Sequence, residues 1–179
     1  MSTVDDALRT RTDRSHADLI ALSHDLHAHP ETAWEETYSA ARVAGALADS
    51  GFTVAESWCG LDTAFTASIG NGDLHIALCA EYDALPGLGH ACGHNVIAGV
   101  AVGAFLAAPP PPAVVPQGGP STDMGNVSRI VPSIHPSIGL GGPDDVFPHN
   151  ADFADLTVLP PALDALVDVA AALAATAVD

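Results

Sequence analysis

The sequence has 179 residues, about one domain's worth of chain, and at that length roughly 70% of the unfolded surface can be buried without disulfides or metal staples. Apolar residues make up 48% and charged residues 15%, which argues against wholesale disorder. The charge is lopsided, with 22 Asp plus Glu, 5 Arg, no Lys and a net charge of −17. That balance excludes a phosphate backbone as partner, hence no nucleic acid, and disfavours an anionic membrane surface; small molecules, cations and metals remain.

The acids are mostly Asp in an Ala-rich chain, a pattern that composition bias or adaptation to salt explains as well as any functional device. All Arg except Arg129 lie at or before Arg42. The polar N-terminus has no apolar run before a cleavage site, and Cys59, Cys79 and Cys92 are odd in number and irregularly spaced. The expectation is therefore a cytoplasmic protein without a disulfide framework.

In chain order, Ser15 with Asp18 reads as a capping box opening a helix with Leu19, Ile20, Leu22 and Leu26 on one face, ended by Pro30. A second helix starts near Glu35–Glu36, whose carboxylates suit a helix N-terminus. Val43, Ala44, Leu47 and Ala48 form its buried stripe, and Gly51 terminates it. Residues 52–58, 63–69 and 74–80 read as strands, with Asn71-Gly72 predicting a tight hairpin between the last two. The run 74–79 is apolar on both faces, as in an interior strand. Residues 95–106 are apolar all round, too short to span a bilayer, and predict a helix buried against a sheet. Residues 107–120 are so rich in proline that they read as a linker. Beyond it, 127–138 predicts one edge or irregular strand, and Pro160-Pro161 opens a last helix with Leu163, Leu166, Val167, Ala170 and Leu173 on one face.

The chemistry concentrates in Asp83-Ala84-Leu85-Pro86-Gly87-Leu88-Gly89-His90-Ala91-Cys92-Gly93-His94-Asn95. A carboxylate ends a buried strand, and a loop with His90, Cys92 and His94 at alternate positions follows. In an extended segment Cys92 and His94 face one way, and a thiolate with an imidazole suits zinc or a similar ion. The following helix N-terminus favours the thiolate of Cys92. Read blandly, Cys92 is a small core residue and the histidines are loop surface. Cys59 and Cys79 read as core packing.

Leu26-His27-Ala28-His29-Pro30-Glu31-Thr32-Ala33-Trp34-Glu35-Glu36 resembles the opening signature of the metal-dependent amidohydrolases, the family of aminoacylases, hippurate hydrolases and aminobenzoyl-glutamate hydrolases. Glu81-Tyr82-Asp83-Ala84-Leu85-Pro86 with Gly89-His90-Ala91-Cys92-Gly93-His94-Asn95 resembles its metal-binding core. Residues 121–128 and 148–153 resemble its C-terminal active-site segments, and the nearest branch is the aminobenzoyl-glutamate hydrolase or Xaa-Arg dipeptidase-like one. The resemblance implies Cys92, His94 and His149 as ligands of one or two divalent ions, Zn or Mn, with Asp83 as an active-site residue that orients a ligand. It implies Ser121, Thr122 and Asp123 as pocket lining and a small-molecule amide as substrate; His27 and His29 are expected to hold the helix end.

The family also carries, between the buried helix and the Ser-Thr-Asp segment, a Glu pair that supplies general base and ligand, another His ligand and a lid domain. Here only the proline-rich stretch stands there, and no Glu follows Glu81. The expected architecture is thus α/β: a truncated catalytic-domain sandwich whose mixed sheet of about four strands is flanked by helices. Its parts are 1–106 (the N-terminal part of the catalytic domain), 107–120 (a linker replacing lid and centre) and 121–179 (the C-terminal part). The exposed sheet edge this leaves favours association, so a homo-oligomer is one expectation. Three functions stay open: metal-dependent amide hydrolysis, a non-catalytic remnant that binds a metal ion, and an acidic interaction or scaffold domain.

Overall fold

A computed structural model describes residues 3–72, 75–107, 127, 129–143 and 145–177. Ser121, Thr122, Asp123 and residues 108–120 of the expected linker lie outside the described residues. The elements are α1 (Thr3–Ala28), α2 (Thr37–Asp49), β1 (Thr53–Glu56), β2 (Phe65–Ser68), α3 (His94–Ala107), α4 (Ala151–Leu156) and α5 (Pro160–Thr176). Helix and strand are both present, but helices dominate.

The first helix begins well before Ser15, which sits mid-helix. Leu8, Thr12, Leu19, Leu22, Ser23 and Leu26 are all buried, so one stripe runs the length of α1. Leu8 packs with Ala104, Ala107 and Ala174 at the far end of the core, and this tertiary contact overrides the local capping signal. Arg11 donates to the carbonyl of Ala107 at 3.2 Å, a cation closing the C-terminal end of α3.

Helix α3 lies between α1 and α5 rather than against a sheet. Its glycines permit this. A Cβ at Gly99 would stand 2.6 Å from Leu166 Cδ1, and one at Gly103 would stand 2.7 Å from Ala170 Cβ and 2.8 Å from Leu19 Cδ1. Leu19, Leu26, Val43, Val96 and Leu166, each at most 1% exposed, form the centre of the core. Each such side chain contributes about 1.5–3 kcal/mol by burial.

Helix α2 starts at the expected place, but Glu31, not Glu35 or Glu36, holds its N-terminus. The Glu31 carboxylate accepts from the backbone N–H of Tyr38 at 3.0 Å and Ser39 at 2.7 Å, and from the Ser39 hydroxyl at 2.8 Å. Burial works to raise the Glu31 pKa, yet these donors outweigh it and hold the carboxyl below its ordinary value. Gly51 follows α2 with φ +90°, as expected of a left-handed terminator.

The four-strand sheet does not form among the described residues. β1 and β2 make a two-stranded antiparallel sheet with Thr53 opposite Ser68 and Glu56 opposite Phe65. The hairpin therefore joins the first two predicted strands, and Asn71-Gly72 does not close a turn. Residues 75–80 are extended with no ladder partner, and Cys79 is exposed, so this is no interior strand. Cys59 is exposed as well. Residues 129–138 form a turn and irregular chain without a strand, as Pro132 and Pro136 demand. α5 opens on Pro160-Pro161 and buries Leu163, Leu166, Val167 and Ala170 as expected. No described helix is long and apolar enough to cross a membrane.

Candidate active site

The residues singled out above meet around one loop. The carbonyl of Glu31 accepts from the Ala84 N–H at 2.7 Å, docking the segment that carries Glu81 and Asp83 beside the end of the opening motif. A turn from Leu85 to Gly89 then reverses the chain, with Gly87 at φ +71° and Gly89 at φ +63°. The next residues are turned, not extended, and Gly93 at φ +79° delivers His94 to the first turn of α3. His90 and His94 accordingly point apart.

His90 is fully buried and donates from Nε2 to the carbonyl of Leu26 at 3.0 Å, closing the C-terminal end of α1. Burial, chiefly, lowers its pKa to about 4, so it is a neutral structural residue. The opening histidines divide similar work. His29 Nδ1 lies 2.8 Å from the carbonyl of Asp25 in its own helix, and His27 Nε2 lies 3.1 Å from the carbonyl of Ala154, tying α1 to α4.

His94 is held differently. Its Nδ1 lies 2.8 Å from Asp83 Oδ1 and 2.9 Å from the Asp83 carbonyl oxygen, while Nε2 lies 3.3 Å from Glu81 Oε2. Burial opposes charge on this imidazole, but Asp83 and Glu81 outweigh it and raise its pKa. The His94 hydrogen bond in turn holds the Asp83 carboxyl below its ordinary value, with burial opposing. The two shifts describe one ion pair. Cys92 is half-buried, and its thiol is pushed up by burial and by the charges of Asp83 and Glu81. The helix N-terminus does not make it a thiolate, because two nearby carboxylates act against it.

The C-terminal motif reaches the same loop through its backbone. The His149 N–H donates to the Ala91 carbonyl at 2.7 Å, and His149 adopts φ +74° with its side chain exposed. Asn150 caps α4 by accepting from the Phe153 N–H at 2.8 Å, and a Cβ at Gly93 would stand 3.6 Å from Phe153 Cε1. Among the described residues, no three His, Cys, Asp or Glu side chains converge as a metal-holding group. A metal centre is thus fitted in part. A thiol and an imidazole are the right donor pair for a borderline ion, and an imidazole fixed through its other nitrogen by a carboxylate is how such a ligand is held. The third donor does not close on them.

Beside Asp83 an open cleft of about 300 Å³ is lined by Trp34, Glu36, Leu61, Glu81, Tyr82 and Asp83 among others. The Tyr82 hydroxyl donates to the Thr63 carbonyl at 2.6 Å, and its pKa is pushed up to about 12 by burial and the charge of Glu36. Sequence reasoning gave no role to Glu81. The available signal was its position two residues before Asp83, which places both carboxylates on one side of an extended segment.

Comparison with known proteins agrees with these motifs. A p-aminobenzoyl-glutamate hydrolase from Escherichia coli (strain K12) is 36% identical over 121 residues, covering 58% of this chain and 24% of that protein. Xaa-Arg dipeptidase of Mus musculus is 40% identical over 140 residues, covering 64% of this chain and 31% of the relative. This chain is a relative of the amidohydrolases. Xaa-Arg dipeptidase of Homo sapiens is 38% identical over 132 residues, covering 60% of this chain and 30% of that protein. No family model matches. The chain thus spans between about a quarter and a third of the length of these amidohydrolase relatives.

Proposed function

We propose that this chain hydrolyses an amide bond in acyl-amino acids or dipeptides at the Cys92–His94 loop, with a divalent ion, zinc or manganese, held by Cys92 and His94 and joined by His149. The observation that carries this reading is the Asp83–His94 contact at 2.8 Å, which fixes the imidazole with Nε2 directed to the Glu81 side of the loop. A bound ion supplies polarisation of the amide carbonyl and acidification of water. The chain's own residues orient and exchange protons. Asp83 fixes the His94 ring, and Glu81, half-exposed at the cleft, is the carboxylate in place to take a proton from water.

The cleft favours one kind of substrate. Glu36, Glu81 and Asp83 give it a wall of negative charge with Trp34 beside them, which attracts a guanidinium and repels a second carboxylate. Between the substrate types in the relatives' names, the arginine-ended dipeptide fits this wall better than aminobenzoyl-glutamate. Metal content of the purified chain, of Cys92→Ser and of His94→Ala tests the ion site, and unchanged content in both variants removes it. Hydrolysis of an Xaa-Arg dipeptide against aminobenzoyl-glutamate, with zinc or manganese added, tests the reaction and its preference.

A second reading is a remnant that binds an ion without turnover. It is favoured by the lack of any Glu after Glu81 and by the exposed ring of His149. Metal bound in stoichiometric amount with no hydrolysis above buffer selects it.

A further inference from the structure

We propose that residues 75–81 are a self-pairing edge through which two copies of this chain associate, strand against antiparallel strand, with the two-fold axis at Leu78. The segment is extended, and residues 75–80 make no backbone hydrogen bond among the described residues. Their side chains alternate as in a half-buried strand. Ile76, Leu78 and Ala80 turn inward, Leu78 against the Leu8, Ala104, Ala107 and Ala174 cluster, while His75, Ala77 and Cys79 are exposed. Unpaired N–H and C=O groups on such a segment are a template for another strand.

Charge selects a second copy and sets the register. In a chain of net charge −17, no Asp, Glu, Lys or Arg stands between Asp73 and Glu81, so two copies approach here with least repulsion. Keeping the inner and outer faces aligned requires a residue at the axis. An axis at Ala77 sets Asp73 against Glu81 of the second copy, which is repulsive. An axis at Leu78 instead sets His75 opposite Glu81 of the second copy and Ala77 opposite Cys79, with Ile76 facing Ala80 on the inner side. So short a pairing gives a weak, concentration-dependent dimer, and added salt strengthens it by screening the remaining acid.

The test is sedimentation of the full chain across a micromolar to submillimolar range, combined with cysteine trapping. Opposed residues of antiparallel strands are about 4.5–5.5 Å apart at Cα, within the range a disulfide spans. Oxidised Ala77→Cys is expected to give a covalent dimer joined between position 77 and Cys79 of the second copy, and the same variant with Cys79→Ser none. Ala77→Pro removes one N–H from the edge and is expected to leave the chain monomeric with its helical circular dichroism intact. A wild-type chain that stays monomeric throughout, or a link between the two copies of position 77, overturns the proposal. A folded Ala77→Pro chain that still dimerises also overturns it.

Discussion

Two side chains of the loop carry opposite protonation tendencies. His94 has a raised pKa because Asp83 and Glu81 stabilise its cation against burial. The stability this pairing adds is therefore fully present below the ordinary imidazole value and is lost as pH rises through the raised one. In the metal-free chain, Asp83→Asn is expected to bring the His94 titration to lower pH, read from its ring proton by NMR; an unmoved midpoint would show that Asp83 does not hold the ring. Cys92 is kept as a thiol by burial and the same two carboxylates. Alkylation of the metal-free chain at neutral pH should accordingly modify the exposed Cys59 and Cys79 before Cys92, as peptide mass spectrometry can follow. The sequence showed that Cys92, His94 and Asp83 belong together. It did not show that His90 turns inward, because alternation along a chain predicts facing only where the backbone is extended, and here it is turned.

Helix packing gives a second pair of expectations. Gly→Ala in a helix interior gains about 0.8–1 kcal/mol from propensity, whereas forcing a methyl into a filled contact costs about 1–3 kcal/mol. At Gly103 the obstacle is the Ala170 Cβ, attached directly to the backbone, so overpacking wins and Gly103→Ala lowers the melting temperature. At Gly99 the obstacle is the end of the Leu166 side chain, which can rotate, so Gly99→Ala has the smaller effect. Thermal unfolding of both variants checks the order. For α2, Glu31→Gln is expected to cost about 1 kcal/mol at neutral pH by weakening the cap. Because the Glu31 pKa is lowered on folding, that stability is present above the ordinary carboxylate value and disappears as pH falls through the lowered one. Wild type and variant should therefore converge in acid denaturant titrations. The existence of α2, α3 and α5 was legible from periodicity, proline and glycine. The length of α1 was not, since its first turns are held by Leu8 against residues about a hundred positions away.

The whole molecule carries its acids at close quarters with few cations to offset them. A net charge of −17 opposes compaction, so the melting temperature should rise with added monovalent salt, and a flat salt series would show that the acids are too far apart to matter. The order of the motifs, the relation to amidohydrolases and the gap where a Glu pair would stand are properties of the linear sequence, because they depend only on which residues follow which. Whether those motifs meet depends on distant packing. The backbone of His149 was brought to Ala91 by α4 docking under Gly93 and against His27, contacts no local pattern encodes. The sheet shows the same division in reverse. The run 74–80 has the composition of an interior strand, yet a strand needs neighbours to bond, and among the described residues the fold supplies none.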